Sequence, residues 1–391
     1  MAETALPQFK GRPGWEFTDL SRLSLDAFRP AEPAPIALPD GLFEVDGGTR
    51  LDQVDGSSSD GSVTDGGPVV LPLSVARDRH PQLVEPHLGR VVAADDVFTT
   101  WNEGSWQGGA FVWVPRGVRV EAPILLTAVS AAAGTALHRR VLVVLEEGAE
   151  AEVWEQYLSG GDDETLMTTV VELVVGQNAR LRYVCGQDLN ERSWIFGTQR
   201  AEVARDAVLD WVVLGFGGAS GRVRTETLLA GEGAEAKVTG AYAPHARQHV
   251  DFDTTQEHGA PNTTSDLAFR GILADRSSAV WRGMIKVDPG AQQTDAFQEC
   301  RNLLLSKRAH ADAIPGLEIL ANDVRCTHAA AVAQIDREQL FYLRSRGLSE
   351  TVATRLVVEG FMAELVERFK EGPIRAALAG ALERRLGVLL D

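Results

Sequence analysis

Four short stretches decide the fold: Gly148–Val153 (GAEAEV), Asn178–Tyr183 (NARLRY), Asp206–Trp211 (DAVLDW) and Gly233–Val238 (GAEAKV). Each is a turn built on small residues that runs straight into a strand, and they recur roughly every 30 residues. SSAVWR from Ser277 and RAHADA from Arg308 continue the series at looser intervals. A repeated turn followed by a repeated strand is what the stacked coils of a β-solenoid require, since one coil cannot bury its apolar side alone. The alternative is a sandwich with regular strand spacing.

The strands themselves alternate. Leu181, Tyr183 and Cys185 interleave with Arg182 and Val184. Ala279, Trp281, Gly283, Ile285 and Val287 interleave with Val280, Arg282, Met284 and Lys286. A period of two is a strand with one buried face.

After Ile335 the period becomes helical. Leu340, Phe341 and Leu343 lead to Gly347, a helix stop, and Ser349 can cap the next helix. Val358, Phe361, Met362, Leu365 and Phe369 then form one apolar stripe. Gly372 and Pro373 break it, and Ile374, Leu378, Leu382, Leu386 and Leu389 form another. At the other end, Leu20, Leu23 and Phe28 supply an apolar face to a short turn or helix capped by Thr18 or Asp19, followed by the proline-rich RPAEPAPIALPDG. Residues 46–67, DGGTRLDQVDGSSSDGSVTDGG, are nearly free of large apolar side chains and predict a mobile surface loop. The expected organisation is an N-terminal helical and irregular region (1–95), a β body (96–335) and a C-terminal helical domain (336–391).

Composition narrows the function. A net charge of -17 argues against a nucleic-acid scaffold, which needs concentrated Lys and Arg. No apolar run approaches the roughly 20 residues of a membrane span, and MAETALPQFKGRPGW has no signal-peptide core. Three cysteines, Cys185, Cys300 and Cys326, are odd in number and far apart, so a reducing cytoplasm is expected. There is no GxxxxGK[ST] loop, GxSxG elbow or CxxC pair, so any nucleotide hydrolysis must come from a partner.

Leu317–Gly347, LEILANDVRCTHAAAVAQIDREQLFYLRSRG, joins candidate metal chemistry to candidate docking. Cys326 and His328 lie two apart on a strand and face one way, and a thiolate with an imidazole suits iron or zinc. Two donors hold no metal alone, so a second subunit, His310 or Cys300 would have to contribute. The competing reading is a buried Cys beside a hydrogen-bonded His. In FYLRSRG, the residues Phe341, Tyr342, Leu343, Arg344, Arg346 and Gly347 mix aromatics with arginines, as interface anchors do. Alternatively, the aromatics seat the helix on the β body. His245, His249 and His258 cluster with Asp251, Asp253 and Glu257, either as ligands for a divalent ion or as a solvated turn edge. The acid pairs Asp95/Asp96 and Asp162/Asp163 would be the catalytic groups of a carbohydrate-active β-helix enzyme.

Four segments carry a family resemblance: DVFTTWNEGSWQGGAFVWVPRGVRVEAPI from Asp96, RRVLVVLEEGAEAEVWEQY from Arg139, TTSDLAFRGILADRSSAVWRGMIKV from Thr263, and LEILANDVRCTHAAAVAQIDREQLFYLRSRGL ending at Leu348. Together they resemble the SufB/SufD family of iron–sulfur cluster assembly proteins, on its SufD side. The resemblance implies a mainly β protein, a right-handed parallel β-helix between N-terminal and C-terminal α-helical parts. It implies a non-catalytic scaffold subunit of a SufBCD complex that pairs with SufB and docks the SufC ATPase through its C-terminal helices; for the isolated chain, monomer and homodimer both stay open. It implies a transient iron or iron–sulfur cluster at the SufB–SufD contact, with reduced flavin in the complex and no cofactor held tightly by the chain alone. His328 matches the SufD histidine associated with the nascent cluster; Cys326 receives no firm role. Where SufB has a cysteine this chain has Ala309, and where SufB has a glutamate after the matching histidine this chain has Ala329. Those departures place it with SufD. The alternatives are a SufB-like paralogue or a structural β-helix partner without metal ligation.

Overall fold

The computed structural model describes residues 6–7, 14–45, 47–370 and 372–390. Its body is a parallel β-solenoid of about eight turns with helices at both ends. Each coil contributes one strand to each of two facing sheets, so a strand pairs with the next but one in sequence: Thr135–Leu145 with Leu166–Val175, and Glu150–Ser159 with Arg180–Asp188. All of these coil-to-coil pairings are parallel, which excludes the sandwich.

The repeated turn is the reason the coils stay in register. Gly117, Gly148, Asn178, Asp206, Gly233, Asn262 and Gln293 all have positive φ, from +54° to +73°. Gly, Asn and Asp hold that conformation at least cost. Each amide then reaches the next coil: Gly148 N donates to Gln177 O, Asn178 N to Arg205 O and Asp206 N to Glu232 O, at 2.9–3.0 Å. The turns at Ser277 and Arg308 belong elsewhere. They lead into strands of the other sheet, at the opposite edge of the solenoid, which explains their irregular spacing.

Inside, the alternation predicted for Ala279, Trp281, Gly283, Ile285 and Val287 is observed, with Trp281, Ile285 and Val287 wholly buried. One inward column runs Val153, Tyr183, Trp211, Val238, Leu267, Gln298, His328 along the second sheet. Residues 50–58 correct the mobile-loop expectation (Asp46 lies outside the described residues). Arg50–Val54 is a strand paired with Ile124–Ser130, and Leu51, Gln53 and Val54 are buried. The strand is too short, and too rich in small polar neighbours, to stand out by periodicity; its partner strand supplies the order.

Gln53 completes one of the buried polar groups of this largely apolar interior. Arg139 and Glu155 pair at 2.7 Å with 1% and 0% exposure. Gln53 Oε1 accepts from Arg139 Nη1 at 2.7 Å, and Tyr183 donates to Glu155. Removing one partner strands the other charge in the core. Glu155→Leu should therefore destabilise by about 3–5 kcal/mol, whereas Arg139→Met with Glu155→Leu should cost far less. Urea unfolding of both variants checks this, and equal losses would refute it.

The outer faces carry the terminal segments. Trp15, Leu20, Leu23 and Phe28 pack with Phe98 and Phe196 on the first sheet, and Asp19 Oδ1 accepts from Ser21 N as a turn cap. Helices α1 (Leu73–Arg79), α2 (Pro81–Val84) and α3 (Val97–Ser105) precede the coils. At the other end come α4 (Arg337–Ser345), α5 (Glu350–Val366) and α6 (Pro373–Leu390). Val358, Met362, Leu365, Phe369 and Leu378 bury against Val184, Val212, Leu214 and Ile272 on the outer face of the second sheet. Among the described residues no helix is long and apolar enough to cross a membrane.

Candidate functional site

The two ends of the solenoid differ. At the N-terminal end both sheets finish in short antiparallel strands, Ser57–Ser58 and Ser62–Val63. At the C-terminal end they stop at full-length strands, His310–Ile319 and Arg325–Gln334, each with one edge unpaired. The inward columns break open there. Ile285 is 0% exposed, but its register neighbour on the last coil, Leu317, is 37% exposed. Ile319, Leu320 and Val332 are exposed beside it. Free backbone edges around an apolar mouth are what natural solenoids cover with a cap or a partner.

Cys326 and His328 stand in that mouth. Register pairs them with Ala296 and Gln298, so both point inward from the terminal strand. His328 is exposed, whereas Cys326 is half-buried against Val324, Ala296 and Ala321, and burial pushes its thiol up. The two other donors that sequence offered are not beside them. His310 lies on the outward face of the other sheet and bonds Asp312 at 3.1 Å. Cys300 is fully buried next to Tyr242 and Asn302, and burial pushes it up to about 11. Among the described residues no group of three His, Cys, Asp or Glu side chains converges as a metal site. The mouth thus offers one accessible imidazole and one shielded thiol, an incomplete donor set.

The other candidates resolve into structural roles. His258 points into the core between Thr263 and Ser265, at 2.8 and 2.9 Å. His249 bonds Ser278 at 2.8 Å on the outer face, and His245 contacts Arg385 and Glu191. Asp251 accepts from Thr18 at 2.6 Å. The histidines therefore form no cluster. Asp95 forks onto Arg224 at 3.0 and 2.7 Å, and Asp96 caps α3 by accepting from Phe98 N and Thr99 N, so that pair is committed.

Beyond the mouth the chain turns into α4, capped by Asp336, whose side chain accepts from Glu338 N at 2.8 Å. Gly347 takes φ +96° and Ser349 caps α5, as the sequence predicts. Phe341 is 74% exposed and Tyr342 55%. They do not seat the helix on the β body. Arg346 lies 5.2 Å from the Tyr342 ring centre, and Arg344 pairs with Glu350 at 3.2 Å. Val352 and Leu356 on α5 are exposed as well, which gives the hairpin an uncovered apolar surface edged by arginine.

The family model described as "SUF system FeS cluster assembly, SufBD core domain" matches residues 127–361, from the early coils through the mouth and α4. The chain belongs to the SufBD family. The chain is 31% identical to an iron–sulfur cluster assembly SufBD family protein of Mycobacterium tuberculosis, over 84% of this chain and 85% of the relative. It is 32% identical to SufD of Escherichia coli over 74% and 70%, and 28% identical to SufB of Bacillus subtilis over 78% and 65%. Iron–sulfur cluster assembly is thus the business of the family, and the open end falls inside the matched core domain.

Sequence reading missed Gln298, whose buried side chain underlies His328. A polar residue at an inward position of an alternating strand is the signal that marks it.

Proposed function

We propose that this SufBD-family chain is a non-catalytic scaffold subunit of the SufD type. It pairs with a SufB subunit through the mouth of the solenoid and docks a SufC-type ATPase on the α4–α5 hairpin. The observation that carries this reading is the open end: two unpaired ten-residue strand edges enclosing an apolar mouth that presents His328. A partner solenoid with a similar terminus would extend both sheets through backbone hydrogen bonds and bury Leu317, Ile319 and Val332. Iron or a nascent cluster is the cargo at that contact. His328 would offer it a neutral imidazole, and the partner would supply the thiolate and carboxylate that Ala309 and Ala329 lack.

The ATPase then acts at a distance. α4 follows the terminal strand after only Ile335 and Asp336, so a displacement of the hairpin pulls directly on the strand that carries His328. Coupling requires two arrangements of the mouth with different affinity for the nucleotide-bound ATPase.

The test is co-expression with SufB and SufC, followed by size analysis and anaerobic iron and sulfide assay. A three-component complex should form, and the His328→Ala version should keep its size while losing most of its iron and sulfide. If no complex assembles, the pairing is wrong. An intact complex with unchanged iron would leave this chain a structural partner.

A further inference from the structure

Cys326 and His328 share more than a face of the terminal strand. The odd-numbered residues of that strand bond back to the preceding coil: Arg325 N donates to Thr294 O at 2.8 Å and Ile335 N to Leu304 O at 3.0 Å. Alternate residues turn their backbone groups the other way, so Cys326, His328, Ala330 and Val332 present N–H and C=O at the free edge. The same residues point their side chains into the lumen. The half-buried thiol and the exposed imidazole therefore stand on the seam that a neighbouring strand would occupy. The inward positions on the other strand of the last coil, Ala311, Ala313 and Pro315, are small.

A second copy of this chain completes the donor set. When two such edges meet antiparallel about a two-fold axis through Thr327, Cys326 of each copy falls opposite His328 of the other. Both residues turn their backbone groups to the edge, so they form a hydrogen-bonded pair that exchanges two N–H···O=C bonds. The four side chains share the lumen face, at the corners of a rectangle about 5.5 Å across the seam and about 6.6 Å along the strand. Two thiolates and two imidazoles around one point are a tetrahedral zinc set, the thiols losing their protons as the metal binds. We propose that two copies of this chain join mouth to mouth through one zinc ion held by Cys326 and His328 of each. Backbone contacts alone are too few to hold that joint. In this register the strands overlap only over residues 325–329, and a two-stranded contact of that length is marginal. On the other sheet the even-numbered residues bond back, as His310 N does to Ser277 O, which leaves Pro315 at the free edge with no N–H to give. The net charge of -17 on each copy opposes association as well, so the metal carries the joint. The zinc-bridged pair requires neither SufB nor the ATPase, and it covers the imidazole and the thiol in the isolated chain.

The experiment takes the full chain alone, reduced and stripped with EDTA, and titrates it with cobalt(II) as a spectroscopic probe and then with zinc. One cobalt should bind per two chains, giving the visible bands of a tetrahedral site and thiolate-to-cobalt charge transfer. Sedimentation should show the mass doubling at the same end point, and zinc should bleach the colour without dissociating the dimer. Relative to EDTA, zinc should lower the apparent dimer dissociation constant by about a hundredfold or more. Cys326→Ser and His328→Ala should each remove the colour and the metal-dependent dimer. His310→Ala, on the outward face, should keep both. The serine is nearly isosteric and His328 is exposed, so unchanged melting curves separate lost metal from lost fold. One metal per chain, a spectrum without thiolate bands, a dimer equally populated in EDTA, or a zinc dimer that survives either substitution overturns the proposal. The SufB pairing is read separately, by size and iron content of the co-expressed complex, so either can fail without the other.

Discussion

Replacing Phe341 with Asp together with Arg344 with Glu should abolish co-purification of the ATPase while leaving the thermal unfolding of the chain nearly unchanged. The two halves of that expectation have separate physical grounds. α4 contains no buried residue, and Phe341 is 74% exposed, so the aromatic ring stabilises nothing within this chain. Arg344 makes a surface pair with Glu350 at 3.2 Å, a kind of contact contributing about 0–1 kcal/mol. Binding is a different matter. An exposed aromatic beside an arginine, on a chain of net charge -17, fits the centre of an interface, where truncating one anchor costs about 2 kcal/mol or more. Inserting a charge at one anchor and reversing it at another should weaken association by about a thousandfold. Pull-down with tagged ATPase and a melting curve of the free variant read the two halves. Persistent co-purification would put the docking surface elsewhere.

The legibility of this protein in its sequence followed the physics of repetition. Gly148, Asn178, Asp206 and Gly233 were readable because a stacked left-handed turn tolerates few residue types. The series broke at Asn262, an asparagine of the same column with φ +58°, which was passed over for the turn at Ser277; Gln293, φ +59°, then carries no such mark. The solenoid period hid a second feature: turns at both edges recur with one coil length, and Ser277 and Arg308 belong to the other edge. Residues 50–54 were opaque for a different reason. Their order comes from pairing with Ile124–Ser130, a contact between segments far apart in sequence.

At the site, alternation alone put Cys326 and His328 on one face. It could not tell that their face is the inside of an unfinished coil. That property belongs to the chain's last strand and to what does not follow it. Nor could spacing divide His245, His249 and His258, since strand alternation sends His258 inward and the turn keeps His245 apart. Ligand-type density within a short stretch is weak evidence for a site when the stretch straddles a turn and a strand.

The buried histidines make the second large prediction, which concerns acid. Burial pushes His138 and His258 down to about 4 from an ordinary value of 6.5, and His249 in the same direction to about 4. A histidine whose folded pKa is depressed stabilises the fold fully above its unfolded value, and that contribution is lost as pH falls from 6.5 through 4. For the two fully buried rings, His138 beneath α3 on the outer face and His258 inside the coil, the loss is about 3 kcal/mol each. Asp251 works the other way. Burial raises it from 3.8 to about 6, so acidification over the same range favours the folded state, by about 2 kcal/mol. The histidines outnumber it, and the chain should lose about 4 kcal/mol between pH 6.5 and 4, with His249 adding in the same direction. His258→Gln keeps a hydrogen-bonding side chain between Thr263 and Ser265 but cannot take up the proton. It should remove about 3 kcal/mol of the acid loss over that interval. Urea unfolding at pH 6.5, 5 and 4 measures both chains. A wild-type profile already flat, or a variant as acid-sensitive as the parent, would show that His258 is not held neutral by the coil around it.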